Sequence, residues 1–299
     1  MRRMFVLGVV LTAGGVSLAI TANQQQDEMV VEVEQLEDNL FVLRGGGGNS
    51  AAFVTSDGVV LVDTKLPGWG QSILETIQLL TEQPVTTIIN THTHGDHVGG
   101  NVDFPASVDI IAHDRAASRM ANMAAFTGVG AESLPDRTYT DRMTLFEGRD
   151  QIDLYHFGAG HTDGDTIVVF PALRTAHLGD LFAFTGPPYI DVANGGSGVA
   201  YPDTLDRIVE SIEGVQRVIP GHIPPPSGSP MRGWTTWADL EQYAAFNREF
   251  LDSVRASQGV GRSVDDAVQA LDIWAKYPEY DMSRAAANVQ AIYDELNAQ

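Results

Sequence analysis

The segment Thr91-His92-Thr93-His94-Gly95-Asp96-His97 constrains this chain more than any other, because it sets three imidazoles and a carboxylate within six consecutive residues. The 299 residues hold only eight histidines, and imidazole is the commonest protein ligand for zinc. On a helix His92 and His94 would project about 200° apart and could not share an ion. The segment must therefore be a loop, and no His-Glu-x-x-His helical pattern is present. Val85 to Asn90 (VTTIIN) reads as a buried strand leading into it, and Gly95, Gly99 and Gly100 free the backbone beyond. The cluster is expected at a strand's carboxyl end, where open α/β sheets commonly place their ligands.

The first 22 residues read apart from the rest. Arg2 and Arg3 precede an apolar run from Phe5 to Ile20, and Ile20-Thr21-Ala22 offers a cleavage point, so a secretory signal peptide and a periplasmic or secreted mature protein are expected. The run is short for the roughly 20 residues of a membrane span, and stable membrane insertion after its removal is not expected. Without Arg2 and Arg3, 16 basic face 39 acidic side chains, a net charge of −23. Such a field repels nucleic acid and anionic membrane surfaces and leaves a small molecule as the expected partner. The chain has no cysteine, which excludes disulfides and thiolate ligands.

From Met29 onward VVEVEQL, NLFVLRG, SAAFVTS and GVVLVDT read as a meander of short strands, broken at Asp38-Asn39, Gly45 to Gly48 and Asp57-Gly58. The tetraglycine run reads as a permissive turn, with a mobile substrate flap as the alternative. A helix is expected over Gln71 to Leu80, then a strand at Val108 to Ala112 and a helix at Asp114 to Ala125. Strand character resumes at Leu145 to Gly148, Gln151 to Phe157, Thr166 to Phe170 and Leu173 to Leu178, before a helix at Pro202 to Ile212. Two β-rich halves with outer helices predict an α+β fold, a four-layer αββα sandwich, over residues 23–233. Residues 234–299 predict a helical C-terminal extension packed on the same domain, with helices at Trp237 to Ala256, Ser263 to Ile273 and Ser283 to Leu296 and with Ser263 and Ser283 as N-caps. Its expected role is to cover the sheet or to form a dimer contact.

Three further signatures turn the cluster into a site: Gly158-Ala159-Gly160-His161-Thr162, Gly179-Asp180 and Pro220-Gly221-His222, each placing one ligand-type residue where a strand meets a loop. With His-x-His-x-Asp-His ahead of them, this order resembles the metallo-β-lactamase superfamily from about Val30 to His222. The resemblance implies two zinc ions per chain, one on His92, His94 and His161 and the other on Asp96, His97 and His222, with Asp180 bridging. It implies a zinc-dependent hydrolase in which the two ions, about 3.5 to 4 Å apart, activate one water, and in which Asp96 is catalytic, orienting that water and relaying its proton. Iron or manganese would also suit such ligands; His94, where redox di-iron relatives tend to carry an acid, favours zinc.

The surroundings are less determined. Asp163 and Asp165 are candidates for holding imidazole N–H groups or are simply turn residues, and His113, His156 and His177 read as satisfied core histidines. Trp69, Phe182, Phe184 and Tyr189 either wall an apolar groove or merely pack. Asn194 resembles, in spacing, an asparagine near the lactam carbonyl of zinc β-lactamases and is the candidate substrate-binding residue. Ala183 stands where the best-known lactamases carry a lysine for the lactam carboxylate, and Asp180 stands where they carry a cysteine. The expected function is an exported hydrolase opening β-lactam amides. A thioester or lactone hydrolase with incidental lactamase activity is the alternative, and a non-catalytic metal-binding accessory protein is a third reading.

Overall fold

The computed structural model describes residues 10–12, 15–17, 29–183, 185–222 and 233–298. Most of the expected leader, and Phe184, lie outside these. Within it, strands β1 (Val10–Thr12) and β2 (Gly15–Ser17) pair only with each other. Among the described residues no helix is long and apolar enough to cross a membrane.

The first sheet has seven strands in chain order: β3 (Glu32–Glu37), β4 (Leu40–Arg44), β5 (Ser50–Thr55), β6 (Gly58–Val62), β7 (Val85–Ile89), β8 (Asp109–His113) and β9 (Arg137–Tyr139). It is antiparallel from β3 to β6 and parallel from β6 to β9. The second has six: β10 (Arg142–Leu145), β11 (Ile152–Tyr155), β12 (Ile167–Phe170), β13 (Thr175–Gly179), β14 (Arg217–Pro220) and β15 (Thr235–Thr236), with β13 and β14 parallel. The period-two rule explains why these runs are apolar throughout. Val60 and Val62 of β6 face the other sheet, whereas Val59 and Leu61 face outward. Between the sheets Leu40, Val42, Phe53 and Ile89 meet Leu154, Val168, Phe170 and Ile219. Phe53 and Phe170 make an edge contact there, with ring centroids 5.1 Å apart.

Helix α1 (Gly70–Leu80) covers the outside of the first sheet with Ile73 and Ile77. The outside of the second is covered by α4 (Tyr201–Ser211), α5 (Trp237–Gly259), α6 (Val264–Gln269) and α7 (Ala285–Asn297), in one apolar cluster with β12 to β14. The architecture is therefore the α+β four-layer αββα sandwich with C-terminal helices. Two short helices, α2 (Gly95–Val98) and α3 (Asp114–Met120), stand beside the histidine loop.

Local departures from the sequence reading have local causes. Helix α3 stops at Met120 rather than Ala125, because the chain turns there to pack Phe126 and Met120 on Val98. Polar Arg137–Tyr139 gave no apolar alternation, yet β8 templates it. Strand β10 starts earlier than the apolar residues suggest and ends at Leu145, where Phe146 turns with φ 57°. Ser263 caps α6 by accepting from Asp266 N, but Ser283 caps nothing, since α7 starts after Arg284. At the other end of the tail, α5 starts on a reciprocal capping box between Thr236 and Asp239.

Because Phe170 is 1% exposed and seated between the sheets, Phe170→Ala should cost about 3 to 5 kcal/mol in urea unfolding. A loss below about 1 kcal/mol would show that the sheets do not pack face to face here.

Candidate metal centre

The sandwich brings the carboxyl ends of β6, β7, β13 and β14 to one rim, and each delivers part of the site. Leaving β7, the chain enters the loop carrying His92 and His94, and α2 adds Asp96 and His97. β13 ends in Gly179 and Asp180, and β14 leads through Gly221 to His222. His161 comes from the loop between β11 and β12. All seven residues expected as ligands converge. In one group, ligand atoms of His92, His94, His161 and Asp180 lie within 4.8 Å of one another, and those of Asp96, His97 and His222 do so in a second. Asp180 joins the groups, with Oδ1 3.2 Å from His97 Nε2 and Oδ2 3.5 Å from His222 Nε2 and 3.7 Å from His161 Nε2.

What fixes the rings is the far nitrogen of each. His97 Nδ1 lies 2.7 Å from Asp63 Oδ2, and His94 Nε2 lies 2.7 Å from Asp191 Oδ2. His161 Nδ1 donates to Tyr189 O at 2.7 Å. Thr91 Oγ1 gives its proton to Asp63 Oδ2 at 2.6 Å, so at 3.0 Å it accepts from His92 Nδ1. Each of these four imidazoles therefore commits one nitrogen outward and turns the other inward, bare in His92 and His161. Against burial, Asp180 and Asp63 hold the His97 ring well above its ordinary value, so that a cation would have to displace its inner proton. The inward nitrogens crowd: His161 Nε2 is 3.0 Å from His94 Nδ1, and His97 Nε2 is 3.3 Å from His222 Nε2. Buried His92 Nε2 has no hydrogen-bond partner, and neither does Asp180 Oδ1, for which His97 is near but not aligned. Orphaned buried polar atoms such as these are costly unless a cation lies among them. The donor set of imidazoles and carboxylates fits divalent metal ions of the zinc type.

Charge is distributed to match. Burial, reinforced by His97, pushes His92 well below its ordinary value, and burial pulls His161 down to about 4, so both rings are neutral and ready to coordinate. Burial opposes ionisation of Asp180, yet His97 and His222 hold it well below the usual carboxylate range.

Asp63 and Asp191 are the residues sequence reasoning missed. Asp63 closes the buried run of β6 and adopts φ 60°, aiming its carboxylate at Thr91 N, Thr91 Oγ1 and His97 at once. An acid directly after five buried apolar residues was its one signal. Asp191 had none. Asn194, the expected substrate contact, has its amide on Asp191 Oδ2 at 2.6 Å. Asp163 pairs with Arg119, and Asp165 holds Thr162, so neither meets a ligand imidazole. Phe182 packs in the core on Tyr243, whereas half-exposed Tyr189 sets its ring 5.9 and 5.7 Å from His94 and His161. The tetraglycine run is packed against the site. Gly48 N donates to Asp96 O at 3.0 Å, and a Cβ on Gly48 would fall 2.2 Å from His97 Cε1. Beneath it buried Lys65, which burial lowers to about 7, donates to Leu43 O and Gly48 O, each at 2.8 Å.

The family model described as Metallo-beta-lactamase superfamily matches residues 43–222, more than half of the chain. The chain therefore belongs to the metallo-beta-lactamase superfamily and is a metal-dependent hydrolase of that class. Among named relatives, it is 30% identical over 166 residues to the 2,4-dinitroanisole O-demethylase subunit alpha of Nocardioides sp. (strain JS1661), covering 54% of this chain and 49% of that one. It thus spans about half the length of that relative. It is 25% identical over 220 residues to Metallo-beta-lactamase type 2 of Elizabethkingia meningoseptica, covering 66% of this chain and 80% of the relative. The fold is shared with a metallo-beta-lactamase from Pontibacter korlensis (TM-score 0.61, 20% identity, 73% of this chain and 99% of that chain). It is shared also with the sec-alkylsulfatase Pisa1 from Pseudomonas sp. (TM-score 0.71, 13% identity, 89% of this chain and 50% of that chain).

The core histidines behave as expected. His177 donates through Nε2 to Asn49 O and accepts at Nδ1 from Gly179 N, and His113 stacks on His156 with centroids 3.9 Å apart. Burial lowers His177 to about 4. The unfolded chain therefore takes up a proton between about pH 6.5 and 4 that folded His177 refuses, so stability falls as pH drops through that window. In chelator-treated protein, His177→Gln should remove roughly 3 kcal/mol of the loss seen between pH 7 and 4. Urea midpoints across that range measure it, and an unchanged pH slope would contradict the assignment.

Proposed function

We propose that the protein is a dinuclear zinc hydrolase, with one ion on His92, His94 and His161, the other on Asp96, His97 and His222, and Asp180 between them, and that it opens β-lactam amide bonds. The observation that carries this reading is the set of four imidazoles with their outward nitrogens committed and their other nitrogens turned toward Asp180 and one another. Bound zinc would supply Lewis acidity and a shared water of near-neutral pKa. The chain's own groups do the remaining work. Asp180, with its side chain 11% exposed, balances charge at the centre. Asp96 is 32% exposed, and its Oδ2 lies 3.2 Å from His222 Nε2. From there it orients the attacking water, takes its proton and passes it to the leaving nitrogen. The exposed Tyr189 ring offers the substrate an apolar wall.

β-Lactam amides come first because relatives named metallo-beta-lactamase type 2 align over about two thirds of the chain. Two observations favour thioesters or lactones as a second reading. Asn194 has its amide on Asp191, and buried Ala183 offers no cation for a lactam carboxylate. Residues 1–22 fit an exported enzyme, and N-terminal sequencing of the mature protein should then start near residue 23.

The test is hydrolysis of a chromogenic cephalosporin by the zinc-loaded protein beside a thioester and a lactone, with and without chelator. Fast, chelator-sensitive cephalosporin opening that exceeds the other two is expected. Faster thioester or lactone cleavage would select the second reading, and metal binding with no turnover on any of them would make the protein a metal-binding accessory. His161→Ala and Asp96→Ala should each lower turnover at least about 100-fold while the fold persists by circular dichroism. Near wild-type rates in either variant would contradict the ligand assignment.

A further inference from the structure

The C-terminal helix α7 lies outside the residues matched by the family model, yet it holds the loop on which two of the ligand imidazoles depend. Asn288, 3% exposed, donates from Nδ2 to Pro188 O at 2.8 Å, one residue before the carbonyl of Tyr189 that receives His161 Nδ1. One turn on, Ile292 packs so closely that a Cβ on Gly198 would fall 2.6 Å from its Cγ1. A further turn on, Glu295 receives Ser197 Oγ at 2.5 Å and Val199 N at 3.1 Å. Just before the helix, Asp281 N donates to Thr185 O at 3.1 Å. Residues 185–199 are thus clamped at both ends and in the middle. Between the clamps lie Tyr189 and Asp191, the acceptors for His161 and His94. Backbone bonds also tie this loop to the histidine's own, Asp191 N to His161 O and Ser197 N to Gly160 O, both at 3.0 Å. The Asp96, His97 and His222 group leans the other way, on Asp63 at the end of β6 and on Gly48.

We propose that Asn288 and Glu295 are positioning residues for one of the two metal sites: through the 185–199 loop they set the His94 and His161 rings, so that the His92, His94 and His161 site depends on α7 and the other site does not. This inference rests on the metal-centre reading above. A ring freed from its outer acceptor samples other orientations, and losing such support typically lowers metal affinity about 10- to 100-fold. Because Asn288 and Glu295 act one contact further out, about tenfold is expected for each.

The experiment is chelator competition on the zinc-loaded full chain, counting zinc per chain by elemental analysis and repeating with cobalt(II). Asn288→Ala and Glu295→Ala are compared with wild type, with Glu295→Gln, which keeps an acceptor for Ser197, and with Gln290→Ala on the exposed face of the same helix. Ile77→Ala, in α1 on the far layer, controls for lost stability, with melting of the metal-free proteins as the yardstick. The expected result is two ions per chain in wild type and Gln290→Ala. In the two alanine variants one ion should be held as in wild type and the other released at about tenfold lower chelator concentration, with partial recovery in Glu295→Gln. Folded alanine variants that release both ions as wild type does would overturn the proposal, as would an equal selective loss in Ile77→Ala at matched melting temperature. A wild-type chain that binds no zinc or cobalt would instead sink the metal-centre reading beneath it.

Discussion

Asp63 carries a demand that much of the structure serves. Its carboxylate is fully buried, sits on a left-handed backbone, and takes three hydrogen bonds: Thr91 N, Thr91 Oγ1 and His97 Nδ1. An ionised group so enclosed persists only while its partners stay in place. They stay because β6 and β7 are neighbouring parallel strands ending at the same level, which sets Asp63 beside the start of the histidine loop. Through Thr91 the same carboxylate steadies His92, so one buried acid orients a ring in each ligand group. The sandwich thereby places ring nitrogens at a defined point without any cysteine.

The opposite sheet supplies the complement. β13 and β14, also parallel, end in Asp180 and His222, while the loop after β11 brings His161 across. Each ligand group therefore draws side chains from both sheets, with Asp63 at the β6 end steadying His92 and His97 and the 185–199 loop receiving His94 and His161.

The candidate ligands stood out because histidines are scarce in the sequence and the candidate residues lie where strands meet loops. The histidine cluster with His161, Asp180 and His222 could thus be read as a candidate site, with its ligand pairing supplied by the family resemblance, and β7 as a buried strand. Two β-rich halves with outer helices also indicated the αββα layering. Asp191 and Asn288 could not be found that way. Asp191 lies in a segment without periodicity and Asn288 is one polar residue within a periodic helix, and the meaning of each comes from a partner 97 or 100 residues away. The tail's helices were legible from their spacing, but not their bracing of the metal loop, because a covering helix and a bracing helix have the same apolar stripe. Short polar strands such as β9 were invisible for a related reason, since a neighbour's backbone rather than their own side chains makes them strands.

Two ions are proposed to occupy the rim where these sheets meet. Anomalous scattering at the zinc edge from crystals of the zinc-loaded protein tests it most directly. Two peaks per chain about 3.5 to 4 Å apart are expected, one among His92, His94 and His161, the other among Asp96, His97 and His222, with Asp180 reaching both. A single peak, or zinc held elsewhere while the inward nitrogens pair only with one another, would contradict it.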